Sequence, residues 1–347
     1  MKTVCIIGHF GREKLLFDGQ TVKTRILTET LETALGQSAL VKMDTAGGVK
    51  TLLKAPFLAL CALARARNVV MLPAHNGLRV FGRLLPFFRP LFSGRRLHYV
   101  VIGGWLPALL QGKKGLSRAL RRFDGIYVET STMKKALEAQ GFTNVIVLPN
   151  CKNLQILKEE ELICPTAEPY RLCTFSRVNE KKGIGDAVAA VRAVNESFGR
   201  TVYTLDIYGA IDAGQGEWFA SLQKTFPDCV RYGGAIPYDQ SVETLRGCFA
   251  LLFPTKYYTE GIPGTIVDAY AAGVPVVSAR WESFADVVEE GKTGVGYEFG
   301  NADALAKQLF ALASDPAAFN AMKPNCLQKA QEYTPFAAME VLSRKIN

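Results

Sequence analysis

The sequence has no apolar run of the roughly 18–20 residues that a membrane-spanning helix needs. Its apolar-rich segment LLKAPFLALCALA (52–64) is broken by Lys54 and Pro56. The eight cysteines are scattered, with no C-x-x-C pair and no metal-ligand spacing. That argues against a disulfide or zinc framework and for small buried hydrophobes in a reducing compartment. Histidine is scarce: His9, His75 and His98 are the only three. A Ser-His-Asp engine therefore has little support, and neither G-x-S-x-G nor G-x-x-x-x-G-K-[ST] occurs. There is no D-x-D pair to hold a divalent metal on a diphosphate, no internal repeat and no low-complexity segment. The opening MKTVCIIGHF has its apolar run stopped by Gly8-His9, too short for a signal-peptide core, and reads as a first strand.

What is present is an ordinary globular composition, 48% hydrophobic and 21% charged over 347 residues, enough for two domains with separate cores. The net charge of +9 is unevenly spread. Residues 1–150 carry 22 Lys and Arg against 8 Asp and Glu, and the remainder carries 19 against 24. A basic half followed by a mildly acidic one suggests two domains with different partners.

Short apolar strands alternate with helical stretches. The first series is TVCIIG (3–8), ALVKM (39–43), NVVML (68–72), HYVVIG (98–103), IYVE (126–129) and NVIVL (144–148). The second is RLCTF (171–175), VYTLDIYG (202–209), CVRYGG (229–234), CFALLFP (248–254), VPVVS (274–278) and VGYEF (295–299). Helical stretches include Thr21–Gly36, Ile184–Phe198, Ser241–Gly247 and Ala302–Ser314. Near-continuous apolar strands separated by helices predict α/β architecture with parallel sheets covered on both faces. Two such series predict two doubly wound Rossmann-like domains facing across a cleft, with the break in KNLQILKEEELICPTAEPYR (152–171). A ligand is then expected beside residues that follow strands.

Three post-strand loops carry chemistry. In GHFGREKLLFDGQTVKTR, Gly8 and Gly11 permit a tight turn, and Gly19-Gln20-Thr21 leads into a helix. Such a loop can offer N–H groups to a phosphate, although a plain strand–loop–helix turn explains the glycines equally well. It is not a dinucleotide fingerprint, because the third glycine and the downstream acid are missing. In SRVNEKKGIGD, Arg177, Lys181 and Lys182 precede Gly183 at a helix start, where cations can neutralise a diphosphate or simply face solvent. In TKYYTEGIPGTIVDAYAAG, Gly261, Pro263 and Gly264 form a turn, with Glu260 in the loop and Asp268 inside the helix. Ile266, Val267, Ala269, Ala271 and Ala272 surround Asp268, so this helix is expected to be buried and its acid to need a polar partner.

Taken in order, these loops resemble the retaining GT-B glycosyltransferases of the glycosyl transferase group 1 (family 4) type. EGIPGTIVDAYAAGVPVV is similar to that family's E-x7-E signature, with Asp268 at the second acidic position, and SRVNEKKG to its Arg…Lys-Gly diphosphate clamp. LDIYG (205–209) resembles the strand before the base-binding region, VLPN (147–150) the exit toward the interdomain linker, and FDGQTVKTR the N-terminal loop of members that build bacterial surface polysaccharides. The resemblance implies a hexosyl transfer from a nucleotide-diphosphate sugar, UDP-linked by family frequency, with no metal and no other cofactor. Glu260 would bind donor-sugar hydroxyls, and Arg177 and Lys182 would neutralise the leaving diphosphate. Gly261, Ile262, Pro263, Gly264 and Thr265 would cradle sugar and phosphate, Asp268 would hold the ribose, and Gly11 would leave room for phosphate. Asp268 departs from the family's Glu by one methylene, roughly 1.5 Å of reach. The family's sugar-side His is absent from IGGW (102–105), which leaves His75, Gln20 and Thr21 as candidates for the acceptor and sugar side. The implied domains are 1–160 for the acceptor, 161–334 for the nucleotide sugar, and a C-terminal helix at 335–347 that can pack back on the first.

The basic half interleaves Lys and Arg with Leu and Phe in LLKAPFLALCALARAR (52–67), RVFGRLLPFFRPLFSGRR (79–96) and KKGLSRALRRF (113–123). That composition suits docking on anionic lipid, and equally a core face with solubilising charge outside it. Nucleic acid is not expected, since no recognition motif or aromatic platform is present. The expectation is a cytoplasmic enzyme, peripheral on the inner face of the membrane, acting on a glycan or polyprenyl-linked acceptor. Competing readings are a nucleotide-sugar epimerase, which would convert donor without acceptor, a phosphorylase, which would need pyridoxal phosphate, and a non-catalytic sugar-nucleotide-binding partner.

Overall fold

A computed structural model of the chain describes residues 1–11, 19–46 and 53–346. REKLLFD (12–18), in the first glycine loop, and residues 47–52 lie outside the described part. The chain divides into two units, one of Met1–Asn153 together with the stretch from Tyr333 on, the other Leu154–Glu332.

The first unit holds β1 (Lys2–Gly8), β2 (Leu40–Asp44), β3 (Ala66–Met71), β4 (Arg96–Val100), β5 (Gly125–Val128) and β6 (Val145–Val147). They form one parallel sheet in the order β2-β1-β3-β4-β5-β6. Alternation along β1 shows why both faces are covered. Cys5 and Ile7 enter one core with α2 (Ala55–Arg65) and α3 (His75–Phe88), through Ala59, Leu63, Phe81 and Leu85. Val4 and Ile6 enter the other, with α1 (Gly19–Leu35) and the C-terminal helix Pro335–Ile346, through Leu27, Leu31, Leu342 and Ile346. Side chains of period two and apolar residues at every position require cover above and below. The helix α4 (Ser131–Ala139) follows β5, and Thr130 caps it by accepting the Met133 amide hydrogen.

The second unit holds β7 (Tyr170–Phe175), β8 (Tyr203–Tyr208), β9 (Val230–Gly234), β10 (Ala250–Phe253), β11 (Val276–Ala279) and β12 (Gly294–Tyr297). Their order is β12-β11-β10-β7-β8-β9, again all parallel. The helices that position the site are α5 (Ile184–Phe198) and α6 (Gly264–Ala271), and α7 (Ala302–Ser314) packs beside α5 on the same core. All twelve strands read from the sequence are present, shifted by up to three residues at their ends. Five of the eight cysteines are buried, but Cys164 is exposed, and Cys61 and Cys229 are half-buried. The reading of all eight as buried hydrophobes therefore holds only in part.

Candidate functional site

Each sheet reverses its winding once, between β7 and β10 in the second unit and between β1 and β3 in the first. At such a point the connections leave toward opposite faces, which opens a crevice at the carboxyl ends of the two strands. The loops there are 176–183 and 254–263 in the second unit, and 9–11 and 72–74 in the first.

After β7, the Asn179 side chain accepts the Lys182 amide hydrogen at 3.1 Å and caps a single tight turn, Glu180–Lys182. Gly183 then adopts φ 71°, and a β-carbon there would stand 1.8 Å from the Pro254 carbonyl oxygen. Only glycine suits that left-handed, crowded position. It lets the loops after β7 and β10 touch, and the Lys256 amide seals them by donating to the Lys181 carbonyl at 2.8 Å.

That contact brings Lys182 Nζ to 2.6 Å from Glu260 Oε1. Thr255 Oγ1 donates to the same oxygen at 3.1 Å and accepts the Tyr257 amide hydrogen at 3.2 Å. The ammonium also lies 5.1 Å from the Tyr257 ring centre and 5.5 Å from that of Phe253, within cation–π range. With side chains only 14% and 19% exposed, the pair is partly removed from water and interacts more strongly than a surface ion pair. Arg177, at 57% exposure, answers to a different acid: its Nη1 donates to Asp212 Oδ1 at 3.1 Å. Asn179 Nδ2 donates to the other Asp212 oxygen at 2.7 Å, so one carboxylate orients two side chains in the first half of the loop. The two cations of the expected clamp thus share a loop but not a counter-charge.

Beyond Glu260, Gly261 and Ile262 are buried, and Pro263 caps α6 in extended conformation. The first amides of α6, at Gly264 and Thr265, have no intrahelical acceptor and carry the positive end of the helix dipole. Thr265 Oγ1 is buried without a hydrogen-bond partner among the described residues. Asp268 lies in the second turn at 2% exposure, with Ile266, Val267, Ala269, Tyr270 and Ala271 also buried.

In the first unit, Gly11 is buried at φ 69°, and Arg25 holds the loop by donating from Nε and Nη2 to the Phe10 carbonyl at 3.0 and 2.8 Å. Gln20 and Thr21 open α1, and Thr21 Oγ1 lies 3.4 Å from His9 Nδ1. His75 begins α3 and stacks on Trp105 at 4.0 Å between ring centres. Partial burial, aided by the Arg79 and Lys113 cations, holds its imidazole below the ordinary value. The IGGW stretch and His75, which follow different strands, are therefore neighbours through Trp105. Lys23 and Glu129 form a buried ion pair at 2.6 Å, 4% and 3% exposed, near the Val101 carbonyl. The residues that the sequence reading missed are Thr255, Asp212 and Trp105. All three follow strands, so the post-strand rule could have marked them.

With two parallel six-stranded sheets of doubly wound order, the fold is α/β of the GT-B class, built from two Rossmann-like domains. Residues 169–315, which lie within the second unit, match the family model "Glycosyl transferases group 1". A 154-residue stretch is 30% identical to the amylovoran biosynthesis glycosyltransferase AmsK of Erwinia amylovora, covering 43% of this chain and 37% of that protein. Another, of 156 residues, is 29% identical to the putative colanic acid biosynthesis glycosyltransferase WcaL of Escherichia coli (strain K12), covering 42% and 37%. The chain thus spans little more than a third of the length of these curated relatives. The crystal structure of HepE from Anabaena in complex with UDP superposes with a TM-score of 0.77 at 15% identity, covering 99% of each chain. At that identity the likeness concerns the fold.

Proposed function

We propose that the protein is a retaining hexosyltransferase of family 4 type. It would move a sugar from a nucleotide-diphosphate donor, UDP-linked, to a glycan or polyprenyl-linked acceptor in surface polysaccharide biosynthesis. The observation that carries this reading is the meeting of Lys182, Glu260 and Thr255 beside the amino end of α6, at the switch point of a group 1 domain. The names of the two curated relatives support the pathway class.

In this reading Lys182 and Arg177 neutralise the diphosphate, and the amides from Gly261 to Thr265 receive phosphate and sugar oxygens. Glu260 accepts hydrogen bonds from sugar hydroxyls. Asp268 holds the ribose, directly or through a water that makes up for its missing methylene. Gly11 leaves space for phosphate, and His75, Gln20 and Thr21 serve the sugar and acceptor side. The bond from the anomeric carbon to the phosphate oxygen breaks, and the acceptor oxygen bonds to that carbon from the same face. The acceptor proton passes to the departing phosphate oxygen, so no protein nucleophile is required. Two cations and a helix terminus supply the charge stabilisation, with no divalent ion. The basic first unit docks on the anionic inner face of the membrane, near a lipid-linked acceptor.

A thermal-shift screen against a panel of nucleotide sugars, with and without EDTA, tests the donor and the metal independence together. A saturating donor, at about 100 times its Kd, raises stability by about 2.7 kcal/mol. Failure of every nucleotide sugar to shift the transition overturns the reading, and loss of the shift in EDTA overturns metal independence. Retention is tested by NMR of the product, where an inverted anomeric centre would falsify it.

A further inference from the structure

Residues 45–123 contain no Asp or Glu and 14 Lys and Arg. Helices α2 and α3 lie in this stretch and bury their facing sides together, so their outer sides define its surface. On α3 the outer positions Arg79, Arg83 and Phe87 recur at every fourth residue, and the line continues to Pro90 and Leu91 in the tight turn Arg89–Leu91. Phe87 is 69% and Leu91 72% exposed, and Phe57 on α2 is 68% exposed. Large apolar side chains held in water beside cations, with no acid in the segment, indicate an interaction surface rather than plain solubilising charge.

Next to Phe87 and Leu91 is a surface pocket of about 330 Å3, lined by Arg89, Arg95 and Arg122 together with Phe92 and Gly94. Two of its three guanidinium groups are anchored. Arg89 donates to the Arg122 carbonyl at 2.9 Å and to Asp124 at 3.2 Å, and Arg95 donates to the carbonyls of Leu63 at 2.7 Å and Ser93 at 3.1 Å. Asp124 balances Arg89, whereas neither Arg95 nor Arg122 has an acidic partner among the described residues. The pocket therefore keeps two uncompensated cations beside an apolar edge, and one of them, Arg95, is fixed in position. A phosphodiester on an acyl-chain support matches both halves. A nucleic-acid strand would match the cations and stack a base on Phe87, but it would leave the aliphatic Leu91 in water.

We propose that this face seats on an anionic phospholipid bilayer, with the Arg89–Arg95–Arg122 pocket holding one lipid phosphate and Phe87 and Leu91 entering the acyl boundary. The inference rests on the membrane reading above and gives it a place in the fold. The test is co-sedimentation of the intact chain with vesicles of phosphatidylcholine alone or mixed with phosphatidylglycerol. It compares Arg95→Gln/Arg122→Gln, Phe87→Ser/Leu91→Ser and the control Lys134→Gln/Lys135→Gln, which removes the same charge from α4. At about 1 kcal/mol per arginine, the first variant should lose about 25-fold in binding to the mixed vesicles. The second should lose at least about tenfold with its charge intact, and the control clearly less than either. A nucleotide-induced thermal shift, preserved in all three, reports that they are folded. If wild type binds phosphatidylglycerol vesicles but the control loses as much as the arginine variant, the pocket assignment fails while the membrane reading stands. If wild type ignores anionic vesicles, both fail. If inorganic phosphate displaces the protein from vesicles while an equal ionic strength of chloride does not, the site is one for free phosphate and the lipid assignment is overturned.

Discussion

Glu260 and Lys182 neutralise each other at 2.6 Å while sharing their surroundings with Thr255 and Tyr257. A donor diphosphate would compete for the ammonium and leave the carboxylate free to turn toward sugar hydroxyls, so the pair is held ready by groups that do not themselves react. Thr255 is the positioning residue. Thr255→Val keeps the shape but removes the hydroxyl that fixes both the carboxylate and the Tyr257 amide. We expect a loss of at least about tenfold in kcat, the lower end for one hydrogen bond to a charged group, with KM little changed and activity restored in Thr255→Ser. An equal rise in KM alone would place Thr255 in donor binding instead. Glu260→Gln should cost about 10²–10³ in rate, as removal of a preorganised charged contact does. Asp268 makes a separate claim. Buried in α6 away from the loop, it should affect nucleotide affinity, and Asp268→Ala should weaken UDP binding in titration calorimetry while leaving the fold intact. Unchanged affinity would remove Asp268 from the donor site.

At the scale of elements, the touch between the β7 and β10 loops depends on Gly183. Gly183→Ala incurs about 1–2 kcal/mol of left-handed backbone strain. It also pushes against the Pro254 carbonyl, moving Thr255 and with it Glu260. The expected outcome is a lower melting temperature of the second unit and a drop in activity larger than the stability loss explains. A variant with normal kinetics and only the stability loss would uncouple the loop contact from the site. Most strands were legible because they are apolar on both faces, and α5 and α7 because their apolar periodicity begins and ends at clear signals, Gly183 and Gly199 for α5 and Asn301 for α7. Helix α3 was harder to read, since Pro86 lies inside it and Arg and Phe share its outer side. Arg177, Lys182 and Glu260 could be singled out one by one, as charges after strands. Their pairing could not. Lys182 meets Glu260 across 78 residues and Arg177 meets Asp212 across 35, and those meetings are made by the strand order of the sheet, not by any local pattern.

At the scale of the whole chain, the C-terminal helix returns to the first unit through a polar thread. Asn68 on β3 donates from Nδ2 to the Ile346 carbonyl at 2.8 Å, its Oδ1 lies 3.3 Å from His98 Nε2, and His98 Nδ1 lies 3.1 Å from the Tyr127 hydroxyl. A neutral imidazole with its proton on Nε2 satisfies this arrangement: it donates to Asn68 and accepts from Tyr127. Protonation would put a donor at Nδ1 and a charge in a site with no exposed surface. Burial accordingly pushes the His98 pKa down to about 4, against a partly opposing pull from Asp124. The sign follows from the unfolded chain, where the imidazole protonates near pH 6.5. Above that pH His98 is neutral in both states and its contribution to stability is fully present. As pH falls from about 6.5 toward 4, only the unfolded chain takes up the proton and stability is lost, by up to about 3 kcal/mol. The three histidines all lie in the first unit. The calorimetric transition of that unit should therefore shift downward between about pH 6.5 and 5, and that of the second unit should hold steady. Because the thread ends on Ile346, hydrogen exchange in the C-terminal helix should rise over the same interval. In His98→Gln, which cannot titrate, both slopes should flatten, and an unchanged slope would assign the acid sensitivity to a group other than His98.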